Sequence, residues 1–156
     1  MGASPYFYFV DYEEDIQNAL DRLRQREFRA GRYYPVVACL DFPVTDDSPS
    51  PGPKHNSIEE ALNCSGPEGT CSILDLERVV DTPYDDDEDS ESYGVAFPVA
   101  DETLIEIVGS TRPSPSELEV LLFDLIEDVA RGTGIYVVGY CNDTPTTLLF
   151  AGYSYD

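Results

Sequence analysis

The sequence predicts an α+β fold: a small antiparallel or mixed sheet of about four to five strands, helices packed mainly on one face, and a C-terminal β-hairpin. Three observations predict it. Short β-rich runs lie near both ends of the chain, two longer segments carry apolar residues at helical spacing, and proline- or acid-rich stretches separate them. With 156 residues, 42% of them hydrophobic and 12% aromatic, the chain has apolar material for one core and fits a single acidic domain over residues 1–156.

Tyr6-Phe-Tyr-Phe-Val10 reads as a short buried strand. It leads into a helix over about Asp11 to Phe28, where Tyr12, Ile16, Ala19, Leu20 and Leu23 share one side. Acids crowd its first turn and arginines its last, as the helix dipole favours, and Gly31 stops it. Val36 to Leu40 is a short strand between Pro35 and Pro43, expected at an edge. Asp46 to His55, with three prolines and a glycine, must be loop. Ser57-Ile-Glu-Glu60 has capping-box spacing and opens a short helix to about Asn63. Ser72 to Val80 alternates enough to predict a strand.

Asp101 to Val108 predicts a short helix ending at Gly109. Ser114-Pro-Ser-Glu117 is the clearest cap in the chain, and the helix it opens should run to about Ala130 with Leu118, Leu121, Leu122, Leu125 and Val129 buried. Ile135 to Cys141 and Thr147 to Tyr153 then form the hairpin, joined by a loop from Asn142 to Thr146.

Charge sets the functional reading. Thirty-one acids against nine bases give a formal net charge of -22 and a pI near 4.1, more than solubility requires. Nucleic acid and anionic membrane carry the same sign and are not expected as direct partners. A basic protein surface is the natural complement, with opposite charge speeding association. The competing explanation is a host whose proteins are all acidic. Met1 to Val10 holds no Lys or Arg and is followed by Asp11, Glu13, Glu14 and Asp15, which fits neither a signal peptide nor a membrane span. A cytoplasmic location is expected, with the cysteines as thiols.

Two segments are candidate partner-binding sites. Asp85, Asp86, Asp87, Glu88, Asp89 and Glu91 place six carboxylates in seven positions. Such a run is ordinarily a solvated loop, but it could present a phosphate-like row to an arginine-rich surface. Its spacing suggests an EF-hand until Ser90 replaces the required glycine and Ala96 the required glutamate. On the helix after Ser114, Val120 and Phe123 fall opposite the leucine stripe beside Asp124 and Glu127. Either they tuck under a neighbouring loop or they form an aromatic anchor ringed by steering charges. Five of the nine bases lie between Arg22 and Arg32 and are expected to pair with the domain's own acids or cap the helix end.

Signals for chemistry are weak. Cys64 and Cys71 are too widely spaced for common zinc modules, His55 is the only histidine, and Cys39 and Cys141 are expected in the core. A Cys64–Cys71 disulfide is open only in an oxidising setting. Gly132-Thr-Gly134 is too short for a phosphate loop. No metal, cofactor or catalytic residue is assigned. The leading expectation is a non-enzymatic immunity protein or inhibitor that neutralises a basic protein, such as a nucleic-acid-targeting toxin. The alternatives are a DNA-mimic inhibitor of a DNA-binding enzyme, of phage or mobile-element origin, or a small carboxylate- or Cys-dependent enzyme.

Overall fold

Alternation along the first strand explains the layering of the molecule. In the computed structural model, which describes residues 3–37, 43–85 and 92–155, β1 (Pro5–Asp11) sends Tyr6 and Tyr8 to one face of a sheet. Phe7 and Phe9 go to the other. Both faces of β1 are therefore apolar, and both need cover. The remaining strands are β2 (Arg78–Val79), β3 (Val95–Pro98), β4 (Gly134–Cys141) and β5 (Thr144–Tyr153), in the order β1-β5-β4-β3-β2. The pairs β1–β5 and β4–β5 are antiparallel, and β2–β3 and β3–β4 are parallel. The sheet is mixed and the C-terminal strands form the expected hairpin.

Helices α1 (Ile16–Ala30) and α2 (Ile58–Ser65) cover the face of Tyr6, Tyr8, Leu148 and Phe150. Helices α3 (Asp101–Ile107), α4 (Pro115–Val120) and α5 (Leu122–Ile126) cover the opposite face, over Ile135, Val137, Leu149 and Ala151. The expectation of helices mainly on one face is corrected here. Parallel strands β3 and β4 need a crossover, and α3 to α5 supply it on the second face.

Several boundaries move for identifiable reasons. α1 begins at Ile16, capped by the Asp15 side chain, which accepts from the Asn18 N–H at 3.0 Å. Its first turn holds no acid; Asp11 remains in β1, and the Tyr12 N–H donates to the Thr146 carbonyl at 3.0 Å. The helix ends at Gly31, φ 75, where a Cβ would stand 2.2 Å from the Gly52 carbonyl oxygen. Val36 and Val37 lie in a turn, both donating to the Tyr33 carbonyl. Ala38, Cys39 and Leu40 lie outside the described residues.

The strand expected over Ser72–Val80 shrinks to Arg78–Val79. Buried Asp75 accepts from the Thr70 N–H and hydroxyl, both at 2.8 Å, and the Ser72 hydroxyl accepts from the Leu74 N–H at 3.2 Å. These local bonds wind Ile73–Asp75 into a 3₁₀ turn. The one helix expected after Ser114 is two, because Leu121 leaves the helical region at ψ 11. Leu118 and Leu122 on either side of the break are both buried. The hairpin turn is also tighter than a five-residue loop. Asn142 and Asp143, at φ 50 and 62, close it alone, and Pro145 pairs with Tyr140 beyond the end of β1.

Two features close the structure at its margins. At the outer edge of β2, the Gln17 carboxamide accepts from the Val79 N–H at 2.8 Å and donates to the Glu77 carbonyl at 3.2 Å. At the end of α1, Glu27 is fully buried and holds Arg32 by two bonds of 2.5 and 2.7 Å and Arg26 by one of 3.0 Å. Arg26 also pairs with Asp46, and Arg24 donates to the Leu74 carbonyl at 3.1 Å. These arginines serve the fold, as expected.

Replacing Glu27 by Gln should lower stability by about 3 kcal/mol in urea unfolding, since it leaves the poorly exposed Arg32 without its carboxylate while Arg26 keeps Asp46; an unchanged midpoint would show the clamp to be dispensable. Burial, followed by nearby Asp75 for Tyr6 and Glu27 for Tyr8, raises both phenols well above their ordinary pKa. The folded state thus favours the neutral phenols, and their contribution is complete below the unfolded pKa of about 10 and lost as pH rises above it. Urea midpoints measured from pH 8 to 11.5 should fall above about pH 10, less steeply in Tyr6→Phe; a slope identical in that variant would assign the loss to other groups.

Candidate functional site

The second face of the sheet is built from a row of paired residues, Phe7, Ala151, Ile135 and Phe97, running from edge strand β1 to β3. α5 buries Leu122, Leu125 and Ile126 in the core on this face. Residues on its two flanks meet different ends of the row. Phe123 reaches the β1 end, where its ring meets Phe7 edge-on at 6.4 Å. Leu125 and Asp124 line a cleft that contains Phe97 at the other end.

The β1 flank is an apolar patch open to solvent. Val120 is 80% exposed and Phe123 60%. Neither is tucked under a loop. Exposed Glu119, Asp124 and Glu127 surround them in sequence. Glu127 acts on Tyr153, whose phenol is raised first by burial and then by that carboxylate's charge. The patch thus sets an aromatic ring in water near exposed carboxylates.

The cleft on the other flank was not foreseen. It encloses about 210 Å³ between α3, β3 and the segment after α5. Phe97, Val99, Ile107 and Val129 line it, and Tyr84 stands edge-on to Phe97 at 5.2 Å. Asp124 and Asp128 are exposed at its border. Its signal in the sequence is thin: β3 is only four residues long, and the residues that meet there come from segments far apart in the chain.

Of the anticipated acidic run, Asp85 is exposed and directly follows Tyr84 of the cleft wall. Asp86, Asp87, Glu88, Asp89 and Glu91 lie outside the described residues. Val120, Phe123, Asp124 and Glu127 are all exposed, and Asp124 lines the cleft.

Cys64 and Cys141 carry free thiols. Cys141 is exposed rather than in the core, because it ends β4 at the hairpin turn. Cys71 is buried at φ 54, and His55 Nδ1 is bonded to the Tyr33 hydroxyl at 2.8 Å. Among the described residues no three His, Cys, Asp or Glu side chains gather as a metal site. No helix among them is long and apolar enough to cross a membrane. No protein-family model matches the chain, and no curated protein or solved structure shows significant similarity to it.

Proposed function

We propose that the protein is an acidic binding module that occludes a basic protein, acting as an immunity protein or inhibitor of a cationic, nucleic-acid-targeting toxin. The observation that carries this reading is the exposed pair Val120 and Phe123 beside Asp124 and Glu127, in a chain of net charge -22. A toxin that grips nucleic acid needs a basic groove. Long-range attraction would bring the two together, and burial of the Phe123 ring at the centre of the contact would slow dissociation. The acidic run from Asp85 to Glu91 adds to the negative charge that would draw in such a partner.

The test is capture from host lysate at low and moderate salt, comparing the wild-type chain with two variants. The wild type should retain a basic protein in a salt-sensitive manner. Phe123→Ala should weaken retention by about tenfold to a hundredfold with a thermal midpoint near that of the wild type, since the ring is largely exposed. Joint reversal of Asp86, Asp87 and Asp89 to Lys should slow association. Retention indifferent to both variants, or no basic protein retained at either salt, would overturn the reading.

A further inference from the structure

Asp124 and Asp128 have no cationic partner among the described residues, and no Lys, Arg or His lines the cleft beside them. Two carboxylates thus border a concave apolar surface with no cationic side chain among its described lining residues. Low-dielectric walls focus the field of such a pair into the cavity. At about 210 Å³ the cleft is smaller than the roughly 300–1,000 Å³ that drug-sized ligands occupy. It suits one long side chain.

We infer that the cleft binds an alkyl cation, a guanidinium or ammonium group on an aliphatic stem, and that its natural occupant is one arginine or lysine side chain of the basic partner. The stem lies along Phe97, Val99, Ile107 and Val129, where half-buried apolar groups are left without cover. The head sits at the border, within reach of Asp124 and Asp128. Tyr84, a residue 44% exposed, lines the same cleft and adds an aromatic ring to it. Arginine suits this mouth better than lysine, because its planar fork can engage carboxylates in pairs and stack on an aromatic ring. The identity of the occupant rests on the proposed function; the chemistry of the cleft does not.

The probe is Nα-acetyl-L-arginine amide, titrated into the full chain and followed by two-dimensional NMR of the backbone amides. Nα-acetyl-L-norleucine amide serves as the neutral counterpart. The arginine compound should give saturable shifts at residues 97–107 and 124–130, with a Kd on the order of 1 mM, the range open to a single side chain. The norleucine compound should bind at least about tenfold more weakly, and Asp124→Asn with Asp128→Asn should remove that difference. The carboxamides replace exposed groups, and an unchanged thermal midpoint would establish that the doubly substituted chain is folded. Absence of saturable shifts at the cleft, equal binding of the two compounds, or indifference to the two substitutions would overturn the inference.

The probe requires no partner, so the two readings fail separately. Probe binding with no Phe123-dependent capture removes the partner and keeps the cleft. Capture that survives the loss of probe binding keeps the partner and removes the cleft.

Discussion

A sheet whose strands are apolar on both faces cannot leave either face in water, and this requirement organises the molecule. Tyr6, Tyr8, Leu148 and Phe150 look one way; Phe9, Leu149, Val137 and Ile135 look the other. Full burial of each large apolar side chain contributes about 1.5–3 kcal/mol, so leaving one face bare would forfeit much of the favourable term. α1 and α2 satisfy the first face. The crossover between β3 and β4 must satisfy the second with three short helices, and short helices cover less than one long one. The open patch at Phe123 and the cleft at Phe97 are two places where that cover ends.

Charge is distributed as unevenly as cover. The arginines of α1 and the one just beyond it are largely committed within the domain: Arg26 and Arg32 to Glu27, Arg24 to a backbone carbonyl. Arg22 lies 3.7 Å from Glu13. Among the described residues, Asp124, Glu127 and Asp128 form no ion pair with a lysine or arginine. Exposed carboxylates at α5 therefore stand close to apolar surface that is also open to solvent.

Much of the fold was legible. The caps at Ser57 and Ser114, the glycine after α1 and the β-rich runs at both ends are local signals, and each marks a real element boundary. What could not be read depends on distant partners. β3 is too short to show a period, and its place between β2 and β4 comes only from pairing. Asp75 looks like one more solvated acid until Thr70 folds back on it. The break at Leu121 has no glycine or proline to announce it. Of the site, helical periodicity placed Val120 and Phe123 away from the buried stripe, but Phe7 and the cleft belong to strand pairing and crossover packing, which periodicity does not describe.

The Gln17 carboxamide at the margin of β2 is a single amide held where a neighbouring chain's peptide group would otherwise sit. Exposed strand edges invite lateral growth into larger sheets. An acidic protein resists such growth through mutual repulsion, a defence that fades in concentrated salt, where the Debye length contracts to about 3 Å. The carboxamide is neutral and its bonds are short-range, so it occupies that margin at any ionic strength. The molecule thus carries a guard against self-assembly on the β2 side that outlasts its charge.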